Sequence, residues 1–237
     1  MLDLSIMGTS RRSRLAAGYL PKGIRLLHED AHIIVVQKPA GLLTMGTRTD
    51  KTTTVYAVLT DYVRKGYAKS RKRVFIVHRL DKDTSGILVF AKSEEIKRRL
   101  QEGWKDVEKR YLAVVHGVPD KTSGMESCYL AENRAHVVYA TGDQRNGKLS
   151  HTAWRVLESR GDRSLLELRL LTGRKHQIRV HLSNMGHPIL GDRIYGRRTD
   201  AGHGLALHAV SLSFTHPASG EHMTFEAEAP HALMQLL

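Results

Sequence analysis

The apolar residues of this chain come in short, β-branched runs that turn residues cut off before a helix could form. "VFIVH" (Val74 to His78) and "GILVFAK" (Gly86 to Lys92) flank an acidic segment that holds Asp81 and Asp83. Runs this brief, bounded by Gly, Pro, Asp and Ser, read as buried strands. "IRLLHED" and "AHIIVVQKPAGLLT" (24–44) read as two more, parted by an acidic turn and closed by Pro39-Ala-Gly. "KRYLAVVHGV", from Lys109, is another. "HTAWRVLESRGDRSLLELRLL" (151–171) gives two strands joined at Gly161-Asp162, with Leu166, Leu168 and Leu170 alternating with Glu167 and Arg169. The polar stretch from Gly124 to Lys148 is expected to carry a hairpin, and "ALHAVSLSFTHP" with "MTFEAEAP" a last one.

Helical spacing is confined to three places. Val55, Val58, Leu59 and Tyr62 mark a helix over Thr52–Lys65, closed by Gly66. Ser93 is placed to cap a second over Glu94–Trp104, with acids in its first turn. In "TGRKHQIRVHLSNMG" (172–186), Ile178, Leu182 and Met185 share a face and Gly186 stops the helix. No repeat or linker divides the chain. The expectation is one α+β domain over residues 24–237, built on a mainly antiparallel sheet and preceded by a basic arm (1–23).

Charge narrows the partner. The chain has 37 Lys and Arg against 24 Asp and Glu, a formal net charge of +13. Such an excess points to a polyanion, because neutralising phosphates releases condensed counterions. The densest cluster is "RKGYAKSRKR" (Arg64 to Arg73), which includes Lys69, Arg71, Lys72 and Arg73. No apolar stretch approaches the roughly 20 residues that span a bilayer, and the amino terminus has its basic residues in the wrong order for a secretory signal. The sole cysteine, Cys128, excludes an internal disulfide and fits a reducing cytoplasm. Nothing in the sequence demands a partner chain, so a monomer is expected.

Within this basic context the acidic segment stands out. Asp81, on a loop after a buried strand, is held by a scaffold yet open to a ligand, as a nucleophile, base or metal ligand would be. If the strand stays extended, Val77, Arg79 and Asp81 share one face. Two acids two residues apart also resemble the opening of haloacid-dehalogenase-type phosphatases. That match is poor, because Ser85 stands where Thr or Val is needed, and His78 and Arg79 interrupt the strand. The histidine pairs His176 and His181, or His203 and His208, lack the i, i+4 spacing of a helical zinc pair, so no metal is expected. Arg179 falls at the border of the helix's apolar face and needs an anionic partner; Asp81 would serve. Tyr111, in "KRYLAVVHG", could stack on a base or accept a proton.

These segments occur together and in order, and the chain resembles the RluA-type family of RNA pseudouridine synthases. "HRLDKDTSG" (His78 to Gly86) is similar to the family's central motif, whose catalytic residue falls on Asp81. "KRYLAVVHG" resembles the segment supplying the active-site Tyr, here Tyr111. "LTGRKHQIRVHLSNMGHPILGDRIYG" (Leu171 to Gly196) resembles the third motif, in which Arg179 would partner the catalytic Asp. The resemblance runs from about residue 25 to 230. It implies the pseudouridine synthase fold around an RNA-binding cleft, no cofactor and no metal, and conversion of a uridine in ribosomal or transfer RNA to pseudouridine. Arg79 would fill the gap left by the flipped uridine. His78, Arg174 and His176 would join the RNA contacts, and Asp83 would shape the loop. Many relatives carry an S4 domain before this part; the residues ahead of the first strand are too few for one. The basic Arg64–Arg73 segment is therefore expected to help grip the RNA.

Overall fold

The computed structural model describes residues 19–46, 53–67, 69–200 and 202–237. Most of the expected basic arm lies outside these residues. Its last part does not: the sheet starts at Tyr19, earlier than the sequence suggests. In chain order the elements are β1 (Tyr19–Leu20), β2 (Ile24–Glu29), β3 (Ile33–Lys38), α1 (Val55–Arg64), β4 (Phe75–Ile76), β5 (Ser85–Ala91) and α2 (Glu94–Glu102). They continue with β6 (Glu108–His116), β7 (Ser123–Glu132), β8 (Val138–Thr141), β9 (Lys148–Arg160), β10 (Arg163–Leu170), α3 (Gln177–Asn184), β11 (Leu207–Thr215), β12 (His222–Glu226) and α4 (His231–Met234). No helix among the described residues is long and apolar enough to cross a membrane.

One sheet runs in the order β1-β2-β3-β5-β11-β6-β10-β9-β7-β8, with β12 added to β11 and β4 to β5. Among the described strands every pairing is antiparallel except that of β11 with β5, where His208 faces Ser85 and Ala209 faces Gly86. That short parallel junction lies at the sheet's middle, directly after the acidic segment. It also explains the glycine of "DTSG": Gly86 has φ +122°, and a Cβ there would collide with the Ala209 backbone. Behind the junction, fully buried His208 binds the Ser85 hydroxyl at 2.8 Å through Nδ1.

β5 is covered on both sides, which is why "GILVFAK" reads as unbroken apolar sequence. Leu88 and Phe90 enter one core with Ile34, Val36 and residues of α1 and α3. Ile87, Val89 and Ala91 enter a second with Ile96 and Leu100 of α2. The Ser93 hydroxyl caps α2 by accepting from the Ile96 amide, as its sequence position suggests. α1 is capped at its start by Thr54 and turns off at Lys65, in the left-handed region, one residue before Gly66. The hairpins expected at 124–148, 151–171 and the C-terminal end all form.

Candidate active site

The segment before Asp81 departs from expectation. β4 ends at Ile76, and from Val77 onward the chain no longer pairs in the sheet. Val77 and Leu80 are buried while Arg79 is exposed, so Val77, Arg79 and Asp81 do not share a strand face. The reason lies in what this segment bonds to. His78 Nε2 accepts from the Val89 amide of β5, its ring lies tilted against Trp104 at 4.6 Å, and Gln101 of α2 donates to the Val77 carbonyl. Side chains take over where strand pairing stops.

Two side chains, Lys38 at the end of β3 and Thr44 in the segment after it, fix the residues on either side of Asp81. Thr44 Oγ1 accepts from the Leu80 amide at 3.2 Å and donates to the Leu80 carbonyl at 2.9 Å, imitating a strand partner. Lys38, with no exposed surface, donates to the carbonyls of Pro39, Leu42 and Lys82 at 2.9, 2.7 and 2.8 Å. Its three protons meet three acceptors, which makes burial of the ammonium tolerable. Burial still pulls Lys38 down to about 8, against the opposing charges of Asp83 and Asp81. The backbone before and after Asp81 is thus tied to the end of β3 and the segment that follows it.

The carboxylate of Asp81 faces Arg179 of α3, whose Nη1 donates to Asp81 Oδ2 at 3.3 Å. This is the lesser of the arginine's bonds. Nε and Nη2 make a bidentate pair with Asp192, both at 2.7 Å. The Asp192 carboxylate has no exposed surface and also accepts from the Ile194 and Tyr195 amides. Burial opposes the arginine's charge, but Asp192 first and Asp81 second more than restore it, so Arg179 is held firmly protonated. Asp192 moves below the carboxylate range because the Arg179 bonds outweigh its burial. The sequence points to one partner for Arg179; it has two, and the stronger is the one the motif reading missed. The need for an acid was legible, and "GDRIYG" within the third motif held it.

His176 completes this wall. It sits in the left-handed region at φ 53°, just before α3, with Nε2 3.7 Å from Asp81 Oδ2 and Nδ1 2.9 Å from the Tyr195 hydroxyl. Tyr195 in turn accepts from the Val138 amide, and its ring lies 5.1 Å from the Arg179 guanidinium. Burial lowers His176, with Asp81 opposing. Gln177, almost fully buried, holds the loop ahead of α3 by accepting from Thr172 Oγ1 and the Arg174 amide and donating to the His151 carbonyl and Thr152.

Tyr111 of β6, 8% exposed, lines the same cavity. Burial, with the charge of Asp81 adding to it, pushes its phenol well up, so the hydroxyl stays protonated. Asp81, Tyr111, Arg179, His176, Arg174, Arg79 and His78 all line one cavity of about 930 Å³. Arg79 lies at its exposed edge, with Nη1 3.5 Å from Met45 Sδ. Arg174 is exposed. His78 differs in kind: burial first, and Lys109 second, push it down to about 3, so its ring is neutral. Its bond to the Val89 amide and its contact with Trp104 engage the ring with the fold as well as with the cavity.

Arg71, Lys72 and Arg73 do not reach this cavity. They are exposed, as is Lys69, and line a second hollow of about 680 Å³ with Arg64 and Lys92. Among the described residues no cluster of His, Cys, Asp and Glu has the arrangement of a metal site. Asp83 enters no ion pair there.

A cleft with one half-exposed carboxylate, a buried arginine and a tyrosine, at the middle of a mixed sheet, can be set beside known proteins. A family model described as RNA pseudouridylate synthase matches residues 32–184, well over half the chain. The chain belongs to the RNA pseudouridine synthase family. Its RluA-type character also holds: the chain is 37% identical over 215 residues to the Dual-specificity RNA pseudouridine synthase RluA of Escherichia coli, with 86% of this chain and 92% of that protein covered. It is 38% identical over 231 residues to the Ribosomal large subunit pseudouridine synthase D of Zymomonas mobilis, covering 90% of this chain and 71% of the relative. A relative of the same name from Nitrosomonas europaea is 38% identical, but the chain spans only 64% of its length. Among solved structures, Human RNA Pseudouridylate Synthase Domain Containing 4 superposes with a TM-score of 0.75 at 26% identity, covering 88% of this chain and 90% of that one. The synthase fold expected from the sequence is therefore the fold observed.

Proposed function

We propose that this protein converts uridine to pseudouridine within a structured RNA, ribosomal or transfer, with Asp81 as the reacting carboxylate. The supporting observation is the placement of Asp81. Its backbone is tied down on both sides, its carboxylate faces Arg179, and Tyr111 shares its cavity. The reaction breaks the N1–C1′ bond, turns the uracil and rejoins it through C5, with no change in redox state. Asp81 starts it, by attack at C1′ or by assisting elimination. Arg179, held by Asp192, keeps a positive charge against Asp81 without having to reorganise. Tyr111 packs on the base and serves proton movement as an acid, since its phenol stays protonated.

A uridine must leave its helix to reach this cavity, at a cost of a few kcal/mol. Arg79, exposed at the edge beside Met45, is placed to fill the gap. The exposed cations Lys69, Arg71, Lys72 and Arg73 attract the backbone from farther out, and Arg174 does so beside the cavity.

The test is pseudouridine mapping across total RNA from cells with and without the gene, complemented with wild type or Asp81→Ala. Sites that vanish without the gene and return only with wild type carry the proposal and name the RNA. An unchanged map sinks it, leaving an RNA-binding role without catalysis.

A further inference from the structure

The cavity wall holds a buried lysine that the reaction just described does not use. Lys109 of β6 is 8% exposed. Unlike Lys38, which meets three carbonyls, its ammonium has one acceptor, the Trp104 carbonyl at a long 3.4 Å. It lies 5.5 Å from the Trp104 ring centroid and enters no ion pair among the described residues. Burial alone lowers its proton affinity, and its charge in turn helps depress that of His78. An ammonium so poorly compensated costs the fold stability, and the fold gains no partner from keeping it.

Its position says what it is kept for. Lys109 and Tyr111 are alternate residues of β6, so both project from the same face of the strand, about 6.7 Å apart at the usual rise. Both line the cavity that holds Asp81. Arg110, between them, points the other way, is exposed, and is neutralised by Glu108 at 2.9 Å. Lys109 therefore lies about one nucleotide's length from the ring on which the reacting uracil would pack, beside Trp104 in the cavity wall. The missing partner is an anion, and RNA brings one with every nucleotide.

We propose that Lys109 is a phosphate-binding residue, its ammonium taking a backbone phosphodiester of the RNA next to the uridine that enters beside Asp81. The assignment rests on the reading of this cavity as the site of an RNA-modifying enzyme. Entry of the phosphate supplies the charge partner that Lys109 lacks among the described residues, so the stability given up in the free protein returns as affinity for RNA.

The experiment compares wild type, Lys109→Met and Lys109→Arg in binding a uridine-bearing stem-loop transcript over a range of salt, with melting temperatures recorded for each. The Met variant is expected to bind about 10-fold more weakly at low salt and to lose roughly 0.7–0.9 from the slope of log affinity against log salt, the share of one phosphate contact. The Arg variant keeps the slope. The Met variant should melt no lower than wild type, since it removes an uncompensated charge. Unchanged affinity and slope in Lys109→Met would overturn the proposal. So would weaker binding at an unchanged slope, which means a neutral group such as a uracil carbonyl is the partner. A lower melting temperature with RNA binding intact would make Lys109 a packing residue only. Pseudouridine formation by wild type on the same transcript is scored separately: binding without modification defeats the synthase reading and leaves the salt slopes to decide Lys109.

Discussion

Two basic regions of this molecule are built in opposite ways. In the cavity around Asp81, the arginine is buried, bonded through three of its nitrogens, and locked against a carboxylate with no exposed surface. In the segment from Lys69 to Arg73, the cations stand in solvent; Arg73 rests 4.9 Å from the Phe75 ring and the Lys72 carbonyl accepts from Arg64. The difference fits the role proposed for each charge. A group that acts on a reacting atom must be in place beforehand, which requires partners and burial. A group that attracts a polyanion must be free to exchange solvent counterions for phosphates, which requires exposure.

Substitutions should separate the two regions by which quantity they move. The largest effect on turnover is expected from Asp81→Asn, which should lower pseudouridine formation by more than about 10³-fold, the scale for losing a reacting group. Single-turnover assays with enzyme in excess would show it with binding retained. A variant keeping a tenth of the activity would remove Asp81 from the chemistry.

Next comes Asp192→Ala, which leaves Arg179 buried with Asp81 as its remaining partner. Breaking a buried pair of this kind costs about 3–5 kcal/mol, so denaturant unfolding should show the loss, and turnover should fall with it. Stability within about 1 kcal/mol of wild type, the size of an exposed pair, would mean that the pair is not the anchor described.

Thr44→Val should be milder and more telling. It removes both bonds to Leu80 while keeping the side chain's shape, at about 1–3 kcal/mol for the unsatisfied backbone groups. The rate at saturating RNA should drop by roughly 10-fold from misplacement of Asp81, with KM unchanged; Thr44→Ser should restore it. A KM effect alone would move Thr44 to the RNA-binding side of the comparison.

Replacing Arg71, Lys72 and Arg73 together by Ala should leave the rate at saturation unchanged and flatten the salt dependence of RNA affinity by about 2–3 in slope. An unaltered slope would deny this segment its role as a grip. The smallest signal concerns Lys38. Because it titrates at about 8 when folded, and nearer 10.5 when exposed, the unfolded chain holds the extra proton between those values. Its contribution therefore makes stability rise with pH across that window. Thermal melts of Lys38→Met against wild type at pH 8 and 10 should show this slope flattened in the variant.

Much of the site was legible in the sequence. Asp81, Tyr111 and Arg179 lie in three separated segments whose motifs mark them, and they do share one cavity. What escaped were residues whose work is done across the fold. Lys38 sits in "VVQKPAG", where it reads as a strand-end cation; only the packing of that turn against residue 82 shows that it is buried. Thr44 resembles any loop threonine until Leu80 is set beside it. Lys109 reads as one more basic residue in a basic chain, because sequence carries no record of which strand face meets a cavity. His78 shows the same limit: its sequence position does not reveal that Trp104 and the Val89 amide meet its ring.

The sequence by itself determined the strand-rich α+β character, through apolar runs too short for helices, and the hairpins, through turn residues at their ends. It also pointed to a polyanionic partner through net charge and singled out Asp81 through its motif. Only tertiary structure decided that Asp192 holds Arg179, that Lys38 and Thr44 clamp the two sides of Asp81, and that Lys109 is buried without a counterion among the described residues. The physical reason is range. Periodicity and turn chemistry act between near neighbours, whereas burial and charge pairing depend on residues brought together from as far apart as Asp81 and Arg179.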